Sequence, residues 1–225
     1  MTFLYLFLQE IISENQNEEH VESLVDLILK GGWTMLPLFL LSIIAIYIFV
    51  ERILTIRAAS KRPKKFIEDV KRYVVEGQVD KALALCKELN TPVARMIEKG
   101  ISRIGSPLNT IETSIENVGK LEINELERNL SSLATIAGAG PMIGFLGTVL
   151  GMIDAFRVIA NQTNPATSDM ASGIYEAMIT TAGGLIVGLI AYVAYNYCTS
   201  QIQKIIRRME HSSIEFIDLL QEPQK

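Results

Sequence analysis

Between Met170 and Gln203 the chain carries a single charged residue, Glu176. The run exceeds the roughly 20 apolar positions that a helix needs to cross a hydrocarbon core. An ionisable group at that depth costs about 2.5–3.5 kcal/mol on insertion scales, so it normally faces a bundle interior or a water-filled path. Gly173, Ala177, Thr180, Thr181, Gly183 and Gly184 surround it, where a lipid-facing helix would carry large aliphatics. Such small and hydroxyl-bearing side chains let helices approach closely and offer polar groups at membrane depth.

Two further apolar blocks make this an expected all-α membrane protein with three transmembrane helices. The hydrophobic residues, 49% of 225, are gathered in blocks, and the net charge of -4 leaves no basic footprint for nucleic acid. The first span is expected at 33–50, anchored by Trp33 and interrupted by Pro37; the second at 130–155; the third at 173–197. Arg52, Arg57, Lys61, Arg62, Lys64 and Lys65 follow the first span, whereas Glu10, Glu14, Glu18, Glu19, Glu22 and Asp26 precede it. The positive-inside rule therefore puts the N-terminus outside the cytoplasm and Lys61 within it. Lys204, Arg207 and Arg208 place the C-terminus inside as well.

Residues 1–30 are read as an acidic amphipathic segment on the outer side, lying at the membrane surface or against neighbouring subunits. The apolar stretch Thr2–Ile12 is not read as a cleaved signal, because no basic residue precedes it and no small-residue cleavage site ahead of an exported domain follows it. Residues 51–129 form the expected cytoplasmic helical domain, with breaks at Gly77, at Asn90-Thr91-Pro92 and at Gly105-Ser106-Pro107. Pro63 and Pro92 suit first-turn positions. From Asn109 no strong breaker appears before Pro141, so one helix is expected to run from the cytoplasm into the second span. Residues 156–172 form an outer loop, and 198–225 a cytoplasmic helix continuing the third span.

In the second span Gly140, Gly144, Gly147 and Gly151 recur three or four apart around Pro141, a stripe suited to helix packing. Gly184 and Gly188 do the same in the third. Thr148 either bonds a carbonyl of its own helix or presents its hydroxyl to a lumen. On an α-helix Thr180 lies about 40° from Glu176 and Thr181 about 140° away, which makes Thr180 the nearer local partner. Glu176 either faces a water-filled path or only joins subunits. Asp154 and Arg157, three apart, either pair on one helix face or mark the water interface, the second being preferred, and Cys86 and Cys198 lack a metal or redox spacing. No nucleophile–base or paired-carboxylate pattern is present, so neither an enzyme nor a cofactor is expected.

The stretches Gly140–Met152 and Gly173–Leu185 closely resemble the MotA/TolQ/ExbB proton-channel family, the ExbB and TolQ branch best of all. The resemblance implies a pentameric ring in a bacterial inner membrane, N-terminus periplasmic, around the single helices of an ExbD-like partner. Such a ring is a stator-like motor that draws on the proton motive force and works on a TonB-like protein for outer-membrane import. A TolQ-type role in envelope maintenance and a non-conducting scaffold are the alternatives. Residue by residue, Thr148 and Thr181 match the family's pore-lining threonines and Glu176 its third-span carboxylate; Thr180 is an extra hydroxyl.

Overall fold

A computed structural model describes residues 31–61, 65–162 and 167–221. The expected N-terminal segment 1–30, Pro63 and the centre of the loop between the second and third spans lie outside them. Seven helices make up the described residues: α1 (Met35–Ala59), α2 (Phe66–Val75), α3 (Val79–Leu89), α4 (Pro92–Ile101), α5 (Leu108–Glu127), α6 (Leu130–Asn161) and α7 (Thr167–Gln221). The chain falls into two compact units, one comprising the chain up to Leu38 with Met142–Gly184, the other Phe39–Pro141 with Leu185–Lys225.

In the second unit, local chemistry sets the ends of the short helices. Gly77 and Gly105 take φ of 72° and 97°, a region costly for residues with a Cβ. Asn90 ends α3 at φ 44°, Thr91 accepts the amide of Ala94 at 3.4 Å, and Pro92 opens α4 where its missing N–H is not needed. Arg95 ties the corner together: it forks onto both carboxylate oxygens of Glu122 at 2.6 and 2.5 Å and also donates to the Asn90 carbonyl at 2.8 Å. That pair holds the Arg95 guanidinium above its already high ordinary pKa.

The core of this unit joins Phe66 and Val70 of α2, Ala82 and Cys86 of α3, Ile97 and Ile101 of α4, and Ile115 of α5. Ile202, Met209 and Phe216 of α7 complete it. Burying each of the larger side chains contributes about 1.5–3 kcal/mol. Space is short there: a Cβ on Gly100 would come within 2.7 Å of both Ile115 and Phe216. A second cluster brings α1, α6 and α7 together through Ala45, Ile48, Leu133, Ile136, Ala191 and Ala194.

Two helical expectations need correction. The continuous helix from Asn109 does not form, because Arg128 is extended (φ -53°, ψ 138°) and Asn129 turns left-handed (φ 62°) between α5 and α6. Much of the expected loop at 156–172 is helical instead: α6 runs on to Asn161 and α7 starts at Thr167. An i,i+3 pair, Asp154–Arg157 at 2.9 Å, supports the added turn of α6. The third span and the C-terminal helix, by contrast, are one uninterrupted α7.

Candidate functional site

The glycine stripe of α6 and the small-residue face of α7 meet within the first unit. A Cβ on Gly144 would stand 3.0 Å from the Thr180 carbonyl and 3.1 Å from the Gly184 Cα. On Gly151 it would reach the Gly173 carbonyl at 2.7 Å and the Ala177 Cβ at 2.8 Å. The two backbones are thus nearly in van der Waals contact over several turns, which glycine alone permits. Gly140 is buried one residue before Pro141. In the second unit Gly188 backs onto Pro141 and lies 3.0 Å, measured from a built Cβ, from the Ala137 carbonyl. That carbonyl is the one whose i+4 donor the proline removes.

The two adjacent threonines do different jobs. Thr181 reaches across the seam and donates its hydroxyl to the Gly144 carbonyl at 2.9 Å. Thr180 is 1% exposed, bonds the Ala177 carbonyl of its own helix at 2.8 Å and presses its side chain onto Gly147. Its hydroxyl is therefore spent on α7 itself, and it does not serve as the hydrogen-bond partner of Glu176. Thr148 is half-buried, and its hydroxyl donates to the Phe145 carbonyl at 2.6 Å, one residue nearer than the i−4 acceptor. The Gly144 carbonyl it forgoes is the one that Thr181 takes.

Glu176 is half-buried, and among the described residues it makes no ion pair or hydrogen bond. Its carboxylate lies against Gly32, which holds φ +65°, so closely that a Cβ there would overlap the oxygen. Nothing in the sequence alone pairs Gly32 with Glu176, more than 140 positions on. The available signal was the glycine pair itself, placed where a turn before a helix calls for positive φ. Met35 lines the same corner, its Sδ and Cε 3.3 and 3.2 Å from the built Cβ of Gly183. No group of three metal-ligating side chains occurs among the described residues.

Three helical stretches, in Met35–Ala59, Leu108–Asn161 and Ala171–Gln221, are long and apolar enough to cross a membrane, and these with the glycine–threonine seam define a multi-span α-helical membrane protein. Residues 88–211 match the model of the MotA/TolQ/ExbB proton channel family, and the chain belongs to that family. It is 32% identical over 176 residues to a protein of Methanothermobacter thermautotrophicus named as a biopolymer transport protein ExbB homolog, 76% of this chain and 62% of that one being covered. It is 25% identical over 207 residues to biopolymer transport protein exbB1 of Vibrio cholerae, 88% of this chain and 89% of the relative. To the Tol-Pal system protein TolQ of Pseudomonas aeruginosa it is 35% identical over 99 residues, 44% and 43% of the two chains.

Proposed function

We propose that this chain is an inner-membrane proton-channel subunit that forms a ring, pentameric by the family resemblance, around the single-span helix of an ExbD-like partner. With that partner it converts proton motive force into mechanical work on a TonB-like protein for import across the outer membrane. The observation that carries this reading is the α6–α7 seam. Thr181 closes on a backbone carbonyl of the opposite helix, Thr148 stands half-exposed on α6, and Glu176 is a half-buried carboxylate in an otherwise uncharged run. A group that alternately charges and neutralises within the field collects about 2.3 kcal/mol per charge per 100 mV. The partner's own ionisable group does the switching, and the ring supplies hydroxyls and a shaped wall. The N-terminus is periplasmic, residues 51–129 and the C-terminus are cytoplasmic, and no enzymatic step is involved.

A TolQ-type role in envelope maintenance is the second reading, favoured by the TolQ relatives that share the 99-residue segment. Gradient-dependent uptake of a large outer-membrane substrate separates the readings in cells lacking their own subunit. Glu176→Gln and Thr181→Val are each expected to reduce uptake to near background while membrane level and co-purification with the partner stay normal. Unchanged uptake in both variants, or loss of assembly in Glu176→Gln, would instead make the seam a scaffold. Restoration of detergent resistance without restored uptake would support the TolQ role.

A further inference from the structure

Arg52 is a cation with no exposed surface, and the proposed proton path makes no use of it. Its guanidinium meets several acceptors. Nε donates to Glu51 Oε2 at 2.6 Å and Nη2 to the other oxygen of that carboxylate. Nη1 donates to the Glu125 carbonyl at 2.9 Å and the Leu126 carbonyl at 3.3 Å, both in the last turn of α5. Arg128 stands 3.7 Å from the same Glu51 and 3.0 Å from Glu125.

In an unbroken α-helix those two carbonyls would accept the amides of Asn129 and Leu130, four residues on. The guanidinium occupies the place of both. The segment from Leu121 to Ala137 contains no glycine or proline, so nothing in it stops a helix outright, though Asn129, Ser131 and Ser132 are weak helix formers. Asn129 is the residue that takes the left-handed turn, as asparagine does more readily than other side chains, so the segment permits the break without enforcing it. What holds the break is the group that satisfies the carbonyls it leaves open, and that group is Arg52. The dependence is mutual, because a desolvated guanidinium without these acceptors is strongly unfavourable.

We infer that Arg52 is a latch that holds the α5–α6 joint broken, the alternative being one straight helix with Arg52 released. Such a joint has two discrete arrangements, each with its hydrogen bonds satisfied, and is the type of element a driven conformational cycle can use. Its bearing on mechanical work rests on the proton-driven reading; the latch itself does not.

The test places spin labels at Asn117→Cys and Ser132→Cys, both exposed, in the full chain reconstituted with its partner. A straight helix, rising about 1.5 Å per residue, would set the two Cα atoms about 22 Å apart. The unlatched variant Arg52→Met is expected to move the distance distribution to that value from a different one in the unsubstituted protein. Arg52→Lys, which keeps the charge but loses the fork, is expected to show both populations and serves where the Met variant does not assemble. An unchanged distribution in the substituted protein, or the straight-helix distance already present with Arg52 in place, would overturn the inference. Gradient-dependent uptake measured on the same variants separates the two claims: a shifted distance with full uptake leaves the latch standing and removes only its part in the work.

Discussion

At the residue scale, burial decides what a reactive side chain can do. Cys86 has no exposed surface, and burial, helped by the charge of Glu98, pushes its thiol from 9.0 up to about 12. The thiolate is the reactive species, and a shift of three units lowers its fraction by about a thousandfold. Cys86 is accordingly expected to resist iodoacetamide at pH 8 in the folded protein and to alkylate on unfolding, as mass spectrometry of the labelled peptide would report. Fast labelling of the folded chain would mean that the α2–α5 core opens readily. The pH dependence has a definite sign. Below about pH 9 the thiol is protonated in both states and contributes nothing; above it the unfolded thiol ionises while the folded one cannot, so stability falls between about pH 9 and 12, by up to about 1.4 kcal/mol per pH unit. The residues of the candidate site were legible to different degrees. Glu176 announces itself as the one charge in its run, whereas its contact with Gly32 joins positions far apart in the chain and has no local signature. Helical angles made Thr180 the neighbour of Glu176, but they could not foresee that its hydroxyl bonds the Ala177 carbonyl and its side chain fills the space left by Gly147.

At the scale of elements, the helices bounded by local chemistry were readable and the break held from a distance was not. Gly77, Asn90-Thr91-Pro92 and Gly105-Ser106-Pro107 mark turns through backbone freedom, capping and proline geometry, and α2 to α5 begin and end beside them. Between Leu121 and Ala137 only Asn129 hints at the α5–α6 joint, and an asparagine alone does not stop a helix; the open acceptors are met by a side chain more than seventy positions earlier in the chain. The glycines of α6 are alike in sequence and unlike in surroundings, which gives a paired prediction. A Cβ on Gly147 would collide with the Thr180 side chain, which is packed too tightly to move aside, and overpacking of this type costs about 1–3 kcal/mol. A Cβ on Gly138 meets nothing within 4 Å, and alanine there gains up to about 1 kcal/mol of helix propensity. Thermal unfolding in detergent should show Gly147→Ala destabilised and Gly138→Ala unchanged or stabilised. Equal effects at the two sites would mean that the seam between α6 and α7 is looser than the glycine contacts require.

At the scale of the whole molecule, the distribution of charge carries the orientation that three apolar helices alone leave open. Arg57, Lys61 and Lys65 are exposed after the apolar part of α1, and Lys204, Arg207 and Arg208 are exposed after that of α7. The end of α6 offers only Asp154 and Arg157, and these neutralise one another at 2.9 Å. Basic residues within about 15–20 positions of a span end are retained on the cytoplasmic side. Lys61 and Lys204 should then share that side, with Gln162 opposite. Single cysteines at Lys61, Gln162 and Lys204 test this directly, because all three positions are exposed and the native Cys86 and Cys198 are buried. In intact spheroplasts a membrane-impermeant maleimide is expected to label Gln162→Cys at once, and Lys61→Cys and Lys204→Cys only after permeabilisation. The reverse pattern would invert the orientation and with it the direction of proton flow in the proposed function. Labelling of all three before permeabilisation would leave the α7 run containing Glu176 without a complete crossing, and a wall that does not span the potential drop cannot house a group that collects work from it.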